Sequence, residues 1–271
     1  MVVSAAHSGA TGLPHPVDQQ EHHVVQSARS RRSPQARAER ADRILDAAAD
    51  LMVALGPTKI TIEDVARRAG VGKGTVYLHF PTKEVLFLVV LMRAQSETAA
   101  RIVERMSSEP AEILPSRVGS FALTALTGTP ILRKIFMGDT GMLGTLTDTA
   151  AAEGGNLIDR RLEDQEAYFR LLHEHGLVRG DLQPEELFHV FGTVVTGFLI
   201  YPPLLENHGH HVPDPARGTE LAADALRHAL GETPEDTDAL RAAWPQVVGL
   251  FDNTVQHVRA EIDRYRTIRR E

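Results

Sequence analysis

One stretch, Thr-Ile-Glu-Asp-Val-Ala-Arg-Arg-Ala-Gly-Val-Gly-Lys-Gly-Thr-Val-Tyr-Leu-His-Phe from Thr61 to Phe80, constrains the fold of this 271-residue chain more than any other. It sets two short helical patterns almost end to end. Thr61 offers an N-cap hydroxyl, and Asp64 three residues on reaches back, a variant of the capping box in which Glu or Gln is the usual partner. Ile62, Val65, Ala66 and Ala69 give the first helix a single apolar stripe. Gly70 supplies the left-handed backbone that a sharp turn requires. A second helix, Lys73–His79, follows at once, with Val71, Val76 and Phe80 as its anchors in a small core. Its outward side is then Lys73, Gly74, Thr75, Tyr77 and His79: donors throughout, except for a glycine that lets a partner come close, and no acid.

Charge is distributed in the same sense. The chain carries a net −7, yet Arg29–Lys83 holds 11 Lys and Arg against 6 Asp and Glu, leaving 18 basic and 30 acidic residues for the rest. A basic module on an acidic body attracts phosphate at one end only. A surface of donors without acids suits phosphates and base edges in a DNA major groove. The cluster Arg29, Arg31, Arg32 and Arg37 reads either as an arm lying along a groove or as a solvated tail.

The flanks complete an all-α reading. Residues 1–34, rich in His, Gln, Ser, Gly and Pro without periodic apolar positions, are expected to be a disordered tail. From Ala38 the residues Ile44, Leu45, Ala48, Leu51, Met52 and Leu55 follow a helical period that Gly56-Pro57 ends. Thr82 is a natural N-cap for a fourth helix, whose Val85–Met92 is apolar on nearly all sides and so is buried between neighbours. The body reads as helices near 112–126, 130–138, 156–176, 184–201 and 217–230, with a last one starting at Pro245. Gly138–Gly155, with five glycines and many threonines, reads as a mobile or ligand-gating loop. In helix 184–201 a stripe from Leu187 to Leu199 lies beside Gly192, Thr193, Thr196 and Gly197, small residues that admit a close helix in a core or a subunit interface. The expected organisation is a tail (1–34), a three-helix helix-turn-helix domain (35–84) and a helical domain (85–271) with an extra C-terminal helix.

Several function classes lose support. Without cysteine there is neither a disulfide framework nor a thiolate metal site. Gly72-Lys73-Gly74-Thr75 fails as a phosphate-binding loop, which needs glycine where Arg67 stands and Ser or Thr at Gly74. His208, His210 and His211 lie in a Gly- and Pro-flanked loop without ligand spacing, so no metal is expected. No catalytic constellation stands out, so neither an enzyme nor a cofactor is expected. The longest unbroken apolar run, Val85–Met92, is far short of the roughly 18 residues of a membrane helix, and no secretory signal is visible. A cytoplasmic chain without a membrane partner is the reading.

The helix Arg43-Ile-Leu-Asp-Ala-Ala47, the segments Thr61–Gly70 and Val71–Phe80, and Thr82-Lys-Glu84 occur here in an order and spacing that make residues 38–90 resemble the DNA-binding domain of the TetR family of repressors. The resemblance implies phosphate contacts from Thr61, Thr75, Tyr77 and Lys83, and positions near base edges for Lys73, Gly74 and His79. Glu63, Arg67 and Arg68 read as solvated surface. It further implies a homodimer on double-stranded DNA with a near-palindromic operator, paired through the helices at 184–201 and 217–230. Release by a small apolar or amphipathic effector would follow, with Phe121, Phe136, Met137, Met142, Tyr168, Phe169 and Phe198 as candidate lining residues. A DNA-binding or partner-binding helical protein without an effector is the alternative; it would lack a cavity within residues 100–230. Two departures from the family are the long N-terminal extension and the extra last helix, which would enlarge the dimer interface or lid the pocket.

Overall fold

The computed structural model describes residues 33–138, 140–152 and 157–267, with the side chains at 136–138, 140–143, 157, 158 and 207 outside that description. Among the described residues there are α-helices and short 3₁₀ turns and no strand. Helix α1 (Pro34–Leu55) begins four residues earlier than the periodicity suggests. The Ser33 hydroxyl accepts from the Ala36 N–H at 3.1 Å and Pro34 occupies the first turn, a start signal for which neither residue needs an apolar neighbour. The rest of the expected tail, with Arg29, Arg31 and Arg32, lies outside the described residues. Gly56 closes α1 at φ 84°, its N–H bonded to Met52 O.

Next come α2 (Ile62–Ala69), α3 (Lys73–His79) and α4 (Lys83–Met106). Thr82 caps α4 by accepting from the Val85 N–H at 3.1 Å. Every residue from Val85 to Met92 is buried, because α4 has α1 on one side and body helices on the other. The body adds α5 (Pro115–Gly128), α6 (Pro130–Gly138), α7 (Thr140–Ala152), α8 (Leu157–Glu174), α9 (Pro184–Asn207), α10 (Pro215–Leu230) and α11 (Thr237–Thr267). The single helix expected at 112–126 is a 3₁₀ turn (Pro110–Ile113) followed by α5, which restarts at Pro115.

Three expectations are corrected. The loop placed at Gly138–Gly155 is largely α7: Leu146 is buried against α4, and that packing overrides the poor propensity of Gly and Thr. Helix α9 does not stop at 201 but continues through Pro202 and Pro203 to Asn207, leaving the Phe198 and Leu199 carbonyls without helical donors. The last helix starts at Thr237 rather than Pro245; the Asp236 carboxylate accepts from the Ala239 N–H at 3.0 Å, and Leu240, Ala243 and Val247 are buried, so Pro245 sits inside it.

Two cores result. The N-terminal core joins Ile44, Leu45, Met52, Val65, Val76 and Phe80 to the apolar run of α4 and to Ile131, Leu132, Ile135 and Leu146 of the body. The body core gathers Met106, Ile113, Tyr168, Phe169, Leu172 and Leu187 with Leu226, Leu230 and Val247. There α5 and α10 touch so closely that a Cβ on Gly119 would stand 2.4 Å from Leu226. Helix α11 belongs to both cores: Val247 lies in the second, Ile262 and Tyr265 in the first. Near its end the Arg266 guanidinium grips both carboxylate oxygens of Asp42 on α1, with Nε to Oδ1 at 2.7 Å.

Candidate nucleic-acid interface and internal cavity

The turn between α2 and α3 is built from short-range signals. The Thr61 hydroxyl accepts from the Asp64 N–H at 3.2 Å while the Asp64 carboxylate accepts from the Thr61 N–H at 3.1 Å, a complete capping box. Gly70 ends α2 at φ 67°, where a side chain would be strained, and the Val71 N–H returns to Ala66 O at 3.0 Å. Val76 and Phe80, both fully buried, pull α3 onto the core. Arg37 of α1 donates to Leu78 O at 3.2 Å and so ties the first helix to the end of α3; its expected place in a free arm is corrected, since it lies inside α1.

Lys73 and Gly74 are exposed, Thr75 and Lys83 half-buried, and Tyr77 is 42% exposed. The Lys83 ammonium lies 5.3 Å from the Phe87 ring centre. Thr61 is exposed, but its hydroxyl also donates to Asp64 at 2.7 Å, a bond that a phosphate would have to displace. His79 is corrected: it is 4% exposed and faces inward. Three residues after Val76, it shares the anchored side of the helix, a spacing that was readable from the sequence. Burial and the nearby Arg37 and Arg40 push its pKa down to about 4, so the ring is neutral, and its Nδ1 has no hydrogen-bond partner. Leu78, 56% exposed, takes the outward place instead.

Nor is the face free of acid. Glu63 of α2 forms an ion pair with Lys73, lowering the Glu63 pKa and raising that of Lys73, whose ammonium also lies 5.9 Å from the Tyr77 ring centre. Arg67 pairs with Asp64, and Arg68 with Asp50. These two cations of α2 are paired surface charges, as expected of solvated residues.

Between α4, α5, α8, α9 and α11 lies an apolar cavity of about 180 Å³. Tyr168, Phe169, Phe188, Phe191 and Phe251 line it. The Tyr168 ring meets Phe251 edge-on at 5.2 Å, and its hydroxyl donates to Ile113 O at 2.7 Å, so it presents only carbon to the void. A more polar cavity of about 420 Å³ adjoins it, bounded by α4, α7, α8 and α11. The two share Gln95, Arg161, Asp164, Gln165, Thr254 and Val258. Of the expected lining, Tyr168 and Phe169 are in place. Phe121 is not: its ring lies under the Arg105 guanidinium at 5.7 Å. Phe198 packs instead with Leu123, Leu199 and Ala222 between α5, α9 and α10. The side chains of Phe136, Met137 and Met142 lie outside the described residues. The extra helix α11 does wall the pocket, through Leu250, Phe251, Thr254, Val255 and Val258.

Helix α9 remains largely uncovered. Ile200, Tyr201 and Leu204 are exposed, and Gly192 and Gly197 have open space where a Cβ would stand. By length and composition Pro184–Glu206 would suffice to cross a membrane, although threonines and glycines keep it from being an unbroken apolar run.

Residues 44–90 match the family described as bacterial regulatory proteins, tetR family. An HTH-type transcriptional repressor of Mycobacterium tuberculosis is 37% identical over 92 residues, covering 31% of this chain and 49% of that protein. The HTH-type transcriptional regulator SrpR of Pseudomonas putida is 48% identical over 52 residues, 19% of this chain and 24% of that protein. The chain thus spans about half the length of the first relative and about a quarter of the second. Among solved structures, SmeT, the repressor of the Stenotrophomonas maltophilia multidrug efflux pump SmeDEF, superposes with a TM-score of 0.52 at 22% identity over 70% of this chain and 89% of SmeT. The fatty acid degradation regulator FadR of Bacillus halodurans gives 0.51 at 17% identity over 70% of this chain and 98% of FadR. Identities that low speak for the fold alone, while the match at 44–90 and the capped, glycine-turned helix pair identify the N-terminal domain as one of the kind found in the tetR family of bacterial regulatory proteins.

Proposed function

We propose that this protein is a homodimeric transcription regulator, a repressor acting in the cytoplasm, that leaves its double-stranded operator when a small molecule fills the cavity of the body. The observation that carries the reading is α3, anchored by Val76 and Phe80 with Lys73, Gly74, Thr75 and Tyr77 turned away from the core. Tyr77, Thr75, Thr61 and Lys83 serve as phosphate contacts and hold the register; Lys73 and Gly74 lie nearest the base edges. Lys73 must exchange Glu63 for a base acceptor on binding, so Glu63 acts as its resting partner.

The exposed apolar side of α9, with α10 beside it, is the surface on which a second copy would close. A buried subunit interface accounts for that side of α9 without a membrane. Two α3 helices would then enter successive major grooves about 34–36 Å apart. SmeT, similar in fold, has been solved in complex with triclosan, and a FadR of Bacillus subtilis with stearoyl-CoA. The cavity within the body supports the effector reading over a DNA-binding protein without a ligand. Filling it would favour a state with the two modules wrongly spaced, and DNA affinity would fall by linkage.

Selection of bound fragments from a random DNA pool tests the reading. It should yield a near-palindrome with half-sites one helical turn apart, and Lys73→Ala should change the consensus. A pool that enriches no sequence would remove the regulator reading.

A further inference from the structure

The two adjoining cavities differ in chemistry, and one side chain stands at their boundary. Arg161 on α8 borders both cavities and keeps exposed surface, yet protein atoms surround it closely enough for desolvation to lower its pKa. Among the described residues its one hydrogen bond runs from Nη1 to Gln95 Oε1 of α4 at 3.1 Å, and none of their carboxylates lies within ion-pair distance. The guanidinium has five N–H donors, so most of them have no acceptor among the described residues.

Asp164 stands three residues after Arg161, the order and spacing at which Arg217 closes on Glu220. Here the pair stays open because Thr254 of α11 donates to Asp164 at 2.5 Å and Gln95 draws Arg161 the other way. Arg160 and His257 border the outer cavity as well, where among the described residues two arginines face a single acid, Asp164. The inner chamber is almost wholly carbon-lined. At about 180 Å³ it compares with the engineered apolar cavity of roughly 150 Å³ that holds benzene. It therefore has room for one ring or a chain of about six to eight carbons.

We infer that the two cavities form one site for an amphipathic anion, whose apolar body fills the inner chamber and whose carboxylate or phosphate is held by Arg161 at the boundary. Planar guanidinium meets a planar carboxylate through two parallel N–H···O bonds, which fixes the head group's orientation as well as its charge. The inference rests on the regulator reading for its consequence, release of DNA, but not for the binding itself.

Calorimetry on the full chain without DNA, using octanoate, 1-octanol and octylammonium as probes, decides it. Octanoate should bind at least tenfold more tightly than either of the others. Arg161→Gln should bring octanoate down to the level of 1-octanol and leave 1-octanol unchanged, whereas Arg161→Lys should keep part of the preference. Thermal melts confirm that both variants fold; Arg161 makes one hydrogen bond among the described residues, to Gln95, so little change is expected. Equal affinity for octanoate and 1-octanol, a preference for octylammonium (which would make Asp164 the head-group partner), no uptake of any probe, or an Arg161→Gln variant that still prefers octanoate would each overturn the inference. Selected DNA without an octanoate preference leaves the regulator reading standing and removes this one. An Arg161-dependent octanoate preference without selected DNA does the reverse.

Discussion

The N-terminal module and the helical body are finished to different degrees. Around α1–α3 the core is closed: Ile44, Leu45, Met52, Val65, Val76 and Phe80 have no solvent-exposed surface. The body has the longer helices but leaves two cavities between them and one apolar helix half-dressed, with Tyr201 58% exposed. A recognition helix works only if its side chains keep their positions, which a dense core enforces. A sensing domain needs unfilled volume and a surface that a partner can cover. On the proposed function the contrast teaches where rigidity is placed: next to the helix proposed to face DNA, with incompleteness left to the part proposed to respond.

The sharpest way to break that contrast is to hollow the module. Phe80→Ala removes a fully buried ring at the end of α3 and should destabilise the fold by about 3–5 kcal/mol in urea denaturation. An effect under about 1 kcal/mol would show that the module is not the packed unit described. Substitution in the uncovered side of the body should do something else. Ile200→Glu with Leu204→Glu changes residues already exposed in one subunit. It should leave the monomer folded while weakening self-association by roughly two orders of magnitude, on the order of 3 kcal/mol. Sedimentation reads this directly, and an unchanged dimer constant would move the interface elsewhere.

The pH profile distinguishes the two regions next. His79 titrates near 4 in the folded chain against about 6.5 when unfolded. Between those values the unfolded chain takes up a proton that the folded one refuses. Its contribution is therefore complete above about pH 6.5 and is lost as pH falls towards 4. The Tm should drop by roughly 2–5 °C more between pH 7 and 5 in the native chain than in His79→Leu. Parallel profiles would mean that the ring is not held neutral.

The same division governs what the sequence made legible. Thr61 with Asp64, Gly70 at the turn, Thr82 before α4 and the limits of α3 all depend on residues within four positions of one another, and each stands where local chemistry puts it. His79 has the side-chain type of a DNA contact but stands three residues from Val76 on the buried side, which leaves Leu78 exposed. The Glu63–Lys73 pair spans ten residues and a turn, and the setting of Arg161 depends on α4 and α11, 66 and 93 positions away at Gln95 and Thr254. Helix α7 exists because Leu146 finds α4, a fact absent from the glycines and threonines around it. Tyr168 and Phe169 read in the sequence as aromatics fit to line a pocket, and so do Phe121 and Phe198. Only the packing separates the two kinds.

The extra helix joins the regions, and its end offers the finest test. Residues 250–258 of α11 wall the cavity, while Arg266, two turns on, holds Asp42 beside the module core. Both partners keep about a third of their surface, so the pair is worth about 1 kcal/mol at most, and a double-mutant cycle with Arg266→Gln and Asp42→Asn should return a coupling of that size. The clamp touches neither the inner chamber nor Arg161, so ligand affinity of the DNA-free protein should not change. If α11 carries the cavity's state to α1, breaking the clamp should shrink the ligand's effect on DNA affinity, because a coupling free energy is bounded by the difference between the two states it joins. A ligand effect undiminished in Arg266→Gln would show that the signal travels through α4, the other helix shared by both regions.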